Sequence, residues 1–169
     1  MKFPKDILII DFEGLKEPVQ VGAILLDKDT LEERDSYSSY IFTDLKGEVK
    51  KVSGISDETL VGAPSQAEIG KIIFDKFGTD IMLASFVANS DVKNFEKILN
   101  SASIDFKSYD YHILDIWPIA YTHLLKQGYQ GGIRSEEIFQ ALGTNPRGLH
   151  DALEDCRITA GVLRKILLS

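Results

Sequence analysis

Asp11 and Glu13 stand two residues apart in Ile9-Ile10-Asp11-Phe12-Glu13, at the end of a segment, Asp6 to Glu13, with a two-residue period. Ile7, Ile9, Asp11 and Glu13 point one way and Leu8, Ile10 and Phe12 the other, so a strand sends both carboxylates off one face, close together. Like charges so placed repel. The pair suits either a solvated strand end or a hard divalent cation such as Mg²⁺ or Mn²⁺, and what raises the second is that the acids continue the apolar Ile7/Ile9 face. Asp91 follows the apolar run Ile81 to Val87, a buried-strand pattern. It therefore lies either where ligands gather beyond the carboxyl ends of parallel strands or in a helix first turn, favoured by the macrodipole. Asp155 falls between Ala152 and Thr159 on the flank of an apolar helical stripe, where a carboxylate is partly desolvated. His150, five residues earlier, is an ordinary surface histidine or a general base with a pKa near neutrality.

The elements that would position these groups are readable along the chain. Val19 to Asp27 reads as a second strand and Tyr37 to Thr43 as a third, with connections short enough for an antiparallel meander. Lys46 to Pro64 is rich in turn residues and holds at most one helical turn, Ser56 to Leu60. Ser65-Gln66-Ala67-Glu68 matches a capping box, continued by Ile69, Ile72, Ile73 and Phe77 as a helical stripe. A buried strand, Ile81 to Val87, follows, and Asn89-Ser90 turns the chain into a helix carrying Val92, Phe95, Ile98 and Leu99. His112 to Ile116 is a fifth strand candidate. Trp117 to Leu125 and Ser135 to Leu142 read as helices separated by a glycine-rich stretch. The last helix carries Leu149, Ala152, Leu153, Cys156, Ala160, Leu163 and Leu167 at spacings of three and four. Three strands followed by alternating strands and helices predict an α/β protein with a mixed sheet.

At 169 residues, 44% of them hydrophobic and 27% charged, the chain has the balance of an ordinary globular protein, which excludes disorder and collagen-like repeats. One domain over residues 1–169 is expected. No apolar run is long enough to span a bilayer, and the N-terminus lacks the apolar core of a secretory signal, so no membrane association is expected. Cys156 is the only cysteine, so no internal disulfide is possible and a reducing, cytoplasmic setting is expected. A formal charge of −7 argues against a large basic surface of the kind that coats duplex DNA. It permits a nucleic acid held through cations placed between carboxylates and phosphate.

The order of these residues along the chain resembles the DnaQ-like exonucleases of the DEDDh type. The matching segments are Ile9-Ile10-Asp11-Phe12-Glu13, Ala88-Asn89-Ser90-Asp91-Val92-Lys93, and Gly148-Leu149-His150-Asp151-Ala152-Leu153-Glu154-Asp155-Cys156. Between them, Ser53-Gly54-Ile55-Ser56-Asp57-Glu58-Thr59-Leu60 and Gly62-Ala63-Pro64-Ser65 are similar to the family's linking segment. The resemblance implies a ribonuclease H-like fold, a mixed five-stranded sheet with an antiparallel meander then parallel strands, flanked by helices. It also implies hydrolysis from the 3′ end of single-stranded DNA or RNA with two divalent metal ions, Mg²⁺ or Mn²⁺. Carried over by position, Asp11, Glu13, Asp91 and Asp155 would hold the metals and His150 would activate the attacking water. The physics agrees, because a cation pair lowers the pKa of a bound water and stabilises the departing oxygen.

Two departures from the family pattern stand out. Gly14-Leu15 replaces the threonine usual after the first glutamate, and Ala-Asn-Ser-Asp is closest to the variant of the Eri-type exoribonuclease branch. A shifted register would put Asn94 in place of Asp91. The resemblance further implies that Leu15 and Ile55 act as substrate-binding wedges against the terminal base. Lys46, Lys50, Lys51, Lys93 and Arg147 are the basic residues nearest the motifs and candidates for phosphate contacts. Two other functions fit the same residues: a catalytically silent module binding nucleic acid or protein, and a phosphodiesterase acting on short oligonucleotides.

Overall fold

The computed structural model describes residues 3–14, 17–43, 55–144 and 151–168. Five strands form one sheet in the order β3-β2-β1-β4-β5. The strand β1 (Asp6–Glu13) lies at its centre, with Ile7, Leu8, Ile9 and Ile10 fully buried. A strand covered on both faces reads as a continuous apolar run, which is why the alternation inside Ile7–Ile10 is one of direction and not of polarity. It pairs antiparallel with β2 (Gln20–Leu26), where Asp11 lies opposite Gly22 and Glu13 opposite Gln20. On its other side it pairs in parallel with β4 (Ile81–Ser85), from Asp6↔Ile81 to Ile9↔Ala84. This is the ribonuclease H-like arrangement, a meander followed by parallel strands.

Three predicted strands differ from those observed. The third, β3, runs over Glu33–Tyr40, not Tyr37 to Thr43. As an edge strand it is mostly exposed, so its first half, Glu33-Arg34-Asp35-Ser36, has no apolar alternation to reveal it. The turn before it is instead fixed by Asp27, whose Oδ1 accepts the Asp29 and Thr30 amides, both at 2.9 Å. β4 stops at Ser85, and Phe86 and Val87 leave the sheet to enter a helix that begins at Ala88. β5 is two residues long, Leu114–Asp115, and Ile116 already belongs to the next helix.

The helices are α1 (Asp57–Leu60), α2 (Gln66–Phe77), α3 (Ala88–Ser101), α4 (Ile116–Lys126), α5 (Ser135–Ala141) and α6 (Ala152–Leu168). The predicted capping box of α2 is present: Ser65 Oγ accepts the Glu68 amide and Glu68 accepts the Ser65 amide. Period-two alternation sorts the core into two layers. Leu8, Ile10 and Phe12 face α2 and α3, where they meet Ile69, Ile73, Phe95 and Ile98. Ile7 and Ile9 face the other way, toward Ile116, Ala120, Cys156, Ala160 and Leu163 on α4 and α6. Each fully buried isoleucine or leucine is worth roughly 1.5–3 kcal/mol. From this buried sheet centre β1 carries Asp11 and Glu13 out on the α6 side.

Candidate active site

Immediately after Glu13 the chain must turn back on itself, and Gly14 adopts φ +132°, where a Cβ would lie 2.1 Å from the Glu17 carbonyl oxygen. Only glycine fits. The departure from the family's threonine therefore has a local cause: a tight hairpin closed by the Val19 amide donating to Glu13 O at 2.8 Å. Glu17 ties the same turn to α2 and α3 by accepting from Gln66 Nε2 at 3.0 Å and from Lys97 Nζ.

On the opposite side, α6 is brought down onto β2. Gly22 leaves no room for a side chain, since a Cβ there would sit 2.3 Å from the Ala152 backbone. Gln20, buried beside it, donates from Nε2 to Asp151 Oδ2 at 3.0 Å and accepts the Ala152 amide at Oε1. Asp151 Oδ1 in turn accepts the Leu153 and Glu154 amides at 3.1 and 3.0 Å, which caps the first turn of the helix. With that turn pinned over Gly22, the register partner of Asp11, the next turn delivers Asp155 to the Asp11/Glu13 face.

The result is a convergence of three carboxylates. Asp11, Glu13 and Asp155 each present an oxygen, all within 4.8 Å of one another. Glu13 is 5% exposed and Asp155 4%. Buried like charges at this separation require compensation, and three hard oxygen donors facing one space suit Mg²⁺ or Mn²⁺. The residues present therefore fit a divalent cation. They border a cleft of about 240 Å³ whose other walls include Phe86, Val87, Ser135, Phe139 and Thr159.

Asp91 lines the same cleft and is 6% exposed. It stands in the first turn of α3, as its spacing suggested, while the N-cap, Val87, makes no side-chain hydrogen bond. Its Oδ1 accepts the Phe12 amide at 3.2 Å, and its Oδ2 accepts the Ser85 hydroxyl. Asn94 is on α3 but is not among the cleft residues, so it is Asp91 that faces the cleft.

His150, Leu15, Lys46, Lys50, Lys51 and Arg147 fall outside the described residues. Ile55 is 5% exposed and packs against Val19 and Leu60. Its side chain lies largely in the interior, beside the start of β2. Lys93 is exposed on α3 and does not line the cleft. Cys156 is fully buried against Ile9 O, and burial together with Asp11, Asp91 and Asp155 pushes its thiol well above the usual range. It is inert packing.

Gln20, Gly22, Ser85, Ser135 and Thr159 carry no signal of their own in the sequence. Gln20 and Gly22 become significant only once β1 and β2 are in register, since they are then the partners of Glu13 and Asp11.

A mixed sheet with acids gathered at the end of its central strand defines a class of protein able to hold a hard cation there, and comparison with known proteins narrows it. The family model described as an exonuclease, RNase_T, matches residues 8–163, and the chain belongs to that family. DNA polymerase III subunit epsilon of Aquifex aeolicus (strain VF5) is 24% identical over 95% of this chain and 79% of its own length. The nuclease domain of 3′hExo, a DEDDh family member solved with rAMP, superposes with a TM-score of 0.76 at 19% identity, covering 97% of this chain and 92% of that one. The zinc-bound complex of E. coli exonuclease I with single-stranded DNA gives a TM-score of 0.78 at 18% identity over 96% of this chain. This chain spans 40% of that exonuclease's length.

Proposed function

We propose that this chain is a single exonuclease domain that removes nucleotides from the 3′ end of single-stranded DNA or RNA. In this reading Asp11, Glu13, Asp91 and Asp155 hold two divalent cations, Mg²⁺ or Mn²⁺, and His150 is the general base. The observation that carries it is the convergence of Asp11, Glu13 and Asp155 within 4.8 Å, with Asp91 in the same cleft. When bound, such cations supply a water of lowered pKa and stabilisation of the leaving oxygen. Four carboxylates roughly balance two divalent charges, so the occupied site would not repel a phosphodiester. The apolar Phe86, Val87 and Phe139 give the terminal sugar or base a surface to rest on. A neutral imidazole at His150 takes the proton of the attacking water. The water oxygen bonds to phosphorus as the phosphorus–O3′ bond breaks, the O3′ of the shortened strand takes up a proton, and a nucleoside 5′-monophosphate leaves.

The single-stranded DNA held by E. coli exonuclease I and the rAMP held by 3′hExo support a nucleic-acid 3′ end as substrate. Leu15, two residues after Glu13 in the sequence, and Ile55 are the proposed base wedges. A cytoplasmic setting is proposed on the single Cys156, for which no internal disulfide exists.

Digestion of matched 5′-labelled DNA and RNA strands with Mg²⁺, Mn²⁺ or chelator tests this. The expected result is a descending ladder that requires the cation, vanishes in Asp11→Ala with the circular dichroism spectrum intact, and slows by about 10²–10⁴ in His150→Ala. Undiminished trimming by Asp11→Ala ends the proposal. Binding without cleavage in the wild type would instead indicate a silent module, and a preference for dinucleotides over longer strands a short-oligonucleotide phosphodiesterase.

A further inference from the structure

We propose that Ser85 is a positioning residue that sets the Asp91 carboxylate for cation binding. The proposal rests on the assignment of Asp91 to the cation site. Ser85 is the last residue of β4, is fully buried, and follows Leu83 on the sheet face turned toward α3. A buried hydroxyl costs free energy unless it is hydrogen-bonded, and alanine would pack there without that cost. Its hydroxyl is spent on one acceptor, Asp91 Oδ2, while the Phe12 amide donates to Oδ1 at 3.2 Å.

These two donors come from two different strands, one to each oxygen, and together they fix the plane of the carboxylate. This support matters because Asp91 stands outside the group of three whose oxygens lie within 4.8 Å. Asp11, Glu13 and Asp155 are set by β1 and by the pinned start of α6. Asp91 begins a different helix, and its contacts with β1 and β4 are what bring it to the cleft. Outer partners of metal-binding carboxylates typically change affinity 10–100-fold when removed.

Mn²⁺ titration calorimetry on the full chain tests the proposal, with metal-free melting curves beside it. Ser85→Ala is expected to weaken Mn²⁺ binding about 10-fold, and Ser85→Thr, which keeps the hydroxyl, to stay within about two-fold of wild type. Ser85→Ala added to Asp91→Asn is expected to cost no further affinity, the signature of a residue acting through its partner. Unchanged binding in Ser85→Ala overturns the proposal. So does an equal loss in Ser85→Ala and Ser85→Thr accompanied by lower metal-free melting temperatures, which marks a packing role, or a full extra loss on top of Asp91→Asn. If Asp91→Asn alone binds Mn²⁺ as wild type does, it is the assignment of Asp91 that fails, and this proposal falls with it.

Discussion

An Asp-x-Glu pair on an exposed strand end is unremarkable chemistry, because water screens both charges. Asp11 and Glu13 differ because Asp155 arrives at their face and closes it, leaving Glu13 and Asp155 nearly without solvent. This arrangement favours function over stability. Asp155→Asn is therefore expected to abolish trimming while raising the metal-free melting temperature. Relief of about 1 kcal/mol of repulsion corresponds to about 2–4 °C for a chain of this size, readable by calorimetry in chelator. A lower metal-free melting temperature would show that the carboxylate is structurally required. Cys156 gives a second residue-scale expectation, since burial and the neighbouring acids oppose its thiolate. It should resist maleimide at pH 8 in native buffer and react fully in denaturant, and rapid native labelling would contradict the packing described here. Tyr109 has a buried hydroxyl with no hydrogen-bond partner among the described residues, and burial pushes its pKa up to about 12. Tyr109→Phe is accordingly expected to stabilise by about 1 kcal/mol in urea unfolding.

At the scale of elements, the decisive contact is the start of α6 against β2. Asp155 is useful only because the preceding turn is seated over Gly22 and held by Gln20, and neither of these residues is charged or near Asp155 in the sequence. Gly22→Ala places a methyl 2.3 Å from the Ala152 backbone, so the helix start must lift. Overpacking of this kind costs about 1–3 kcal/mol, and here it should also weaken Mn²⁺ binding, since it moves one donor away from two others. Urea unfolding and calorimetry would check both losses, and unchanged cation affinity would show that α6 adjusts without moving Asp155. The edge strand β3 illustrates the opposite case. Its residues are exposed, its limits are set by hydrogen bonding to β2, and the alternation that revealed β1 is missing from it.

For the whole molecule, four of the acids gather at one cleft, where bound cations would neutralise them. Saturating Mg²⁺ or Mn²⁺ should raise the melting temperature, by the equivalent of about 2.7 kcal/mol at 100 times Kd, and chelator should reverse it. No cation-dependent shift would count against the site. Acid stability depends on carboxylates elsewhere. The His112 backbone amide, with the His112 ring and Lys5, holds the Asp110 carboxyl at about 2, and the hydrogen bond from Lys97 lowers that of Glu17. A depressed folded-state pKa gives stability that is present above the unfolded value and lost as pH falls through the folded one. Acid unfolding should therefore draw on Asp110 between about pH 4 and pH 2. Asp110→Asn should flatten the wild-type loss of stability across that window, and an unchanged pH profile would show that the pair is idle.

What the amino-acid order determined alone is local and periodic: the buried central strand, the capping box of α2, the amphipathic final helix, and four acids whose spacing matched one family. These follow from side-chain direction and hydrogen bonding within a few residues, and they were legible for that reason. What only the tertiary structure decided is which residues meet. Asp91 and not Asn94 turns into the cleft, because the Phe12 amide and the Ser85 hydroxyl receive it. Ile55 is interior, because Val19 and Leu60 close over it. Such contacts join residues far apart along the chain, and they depend on strand register and close backbone approach, quantities that residue types and short-range spacing do not encode.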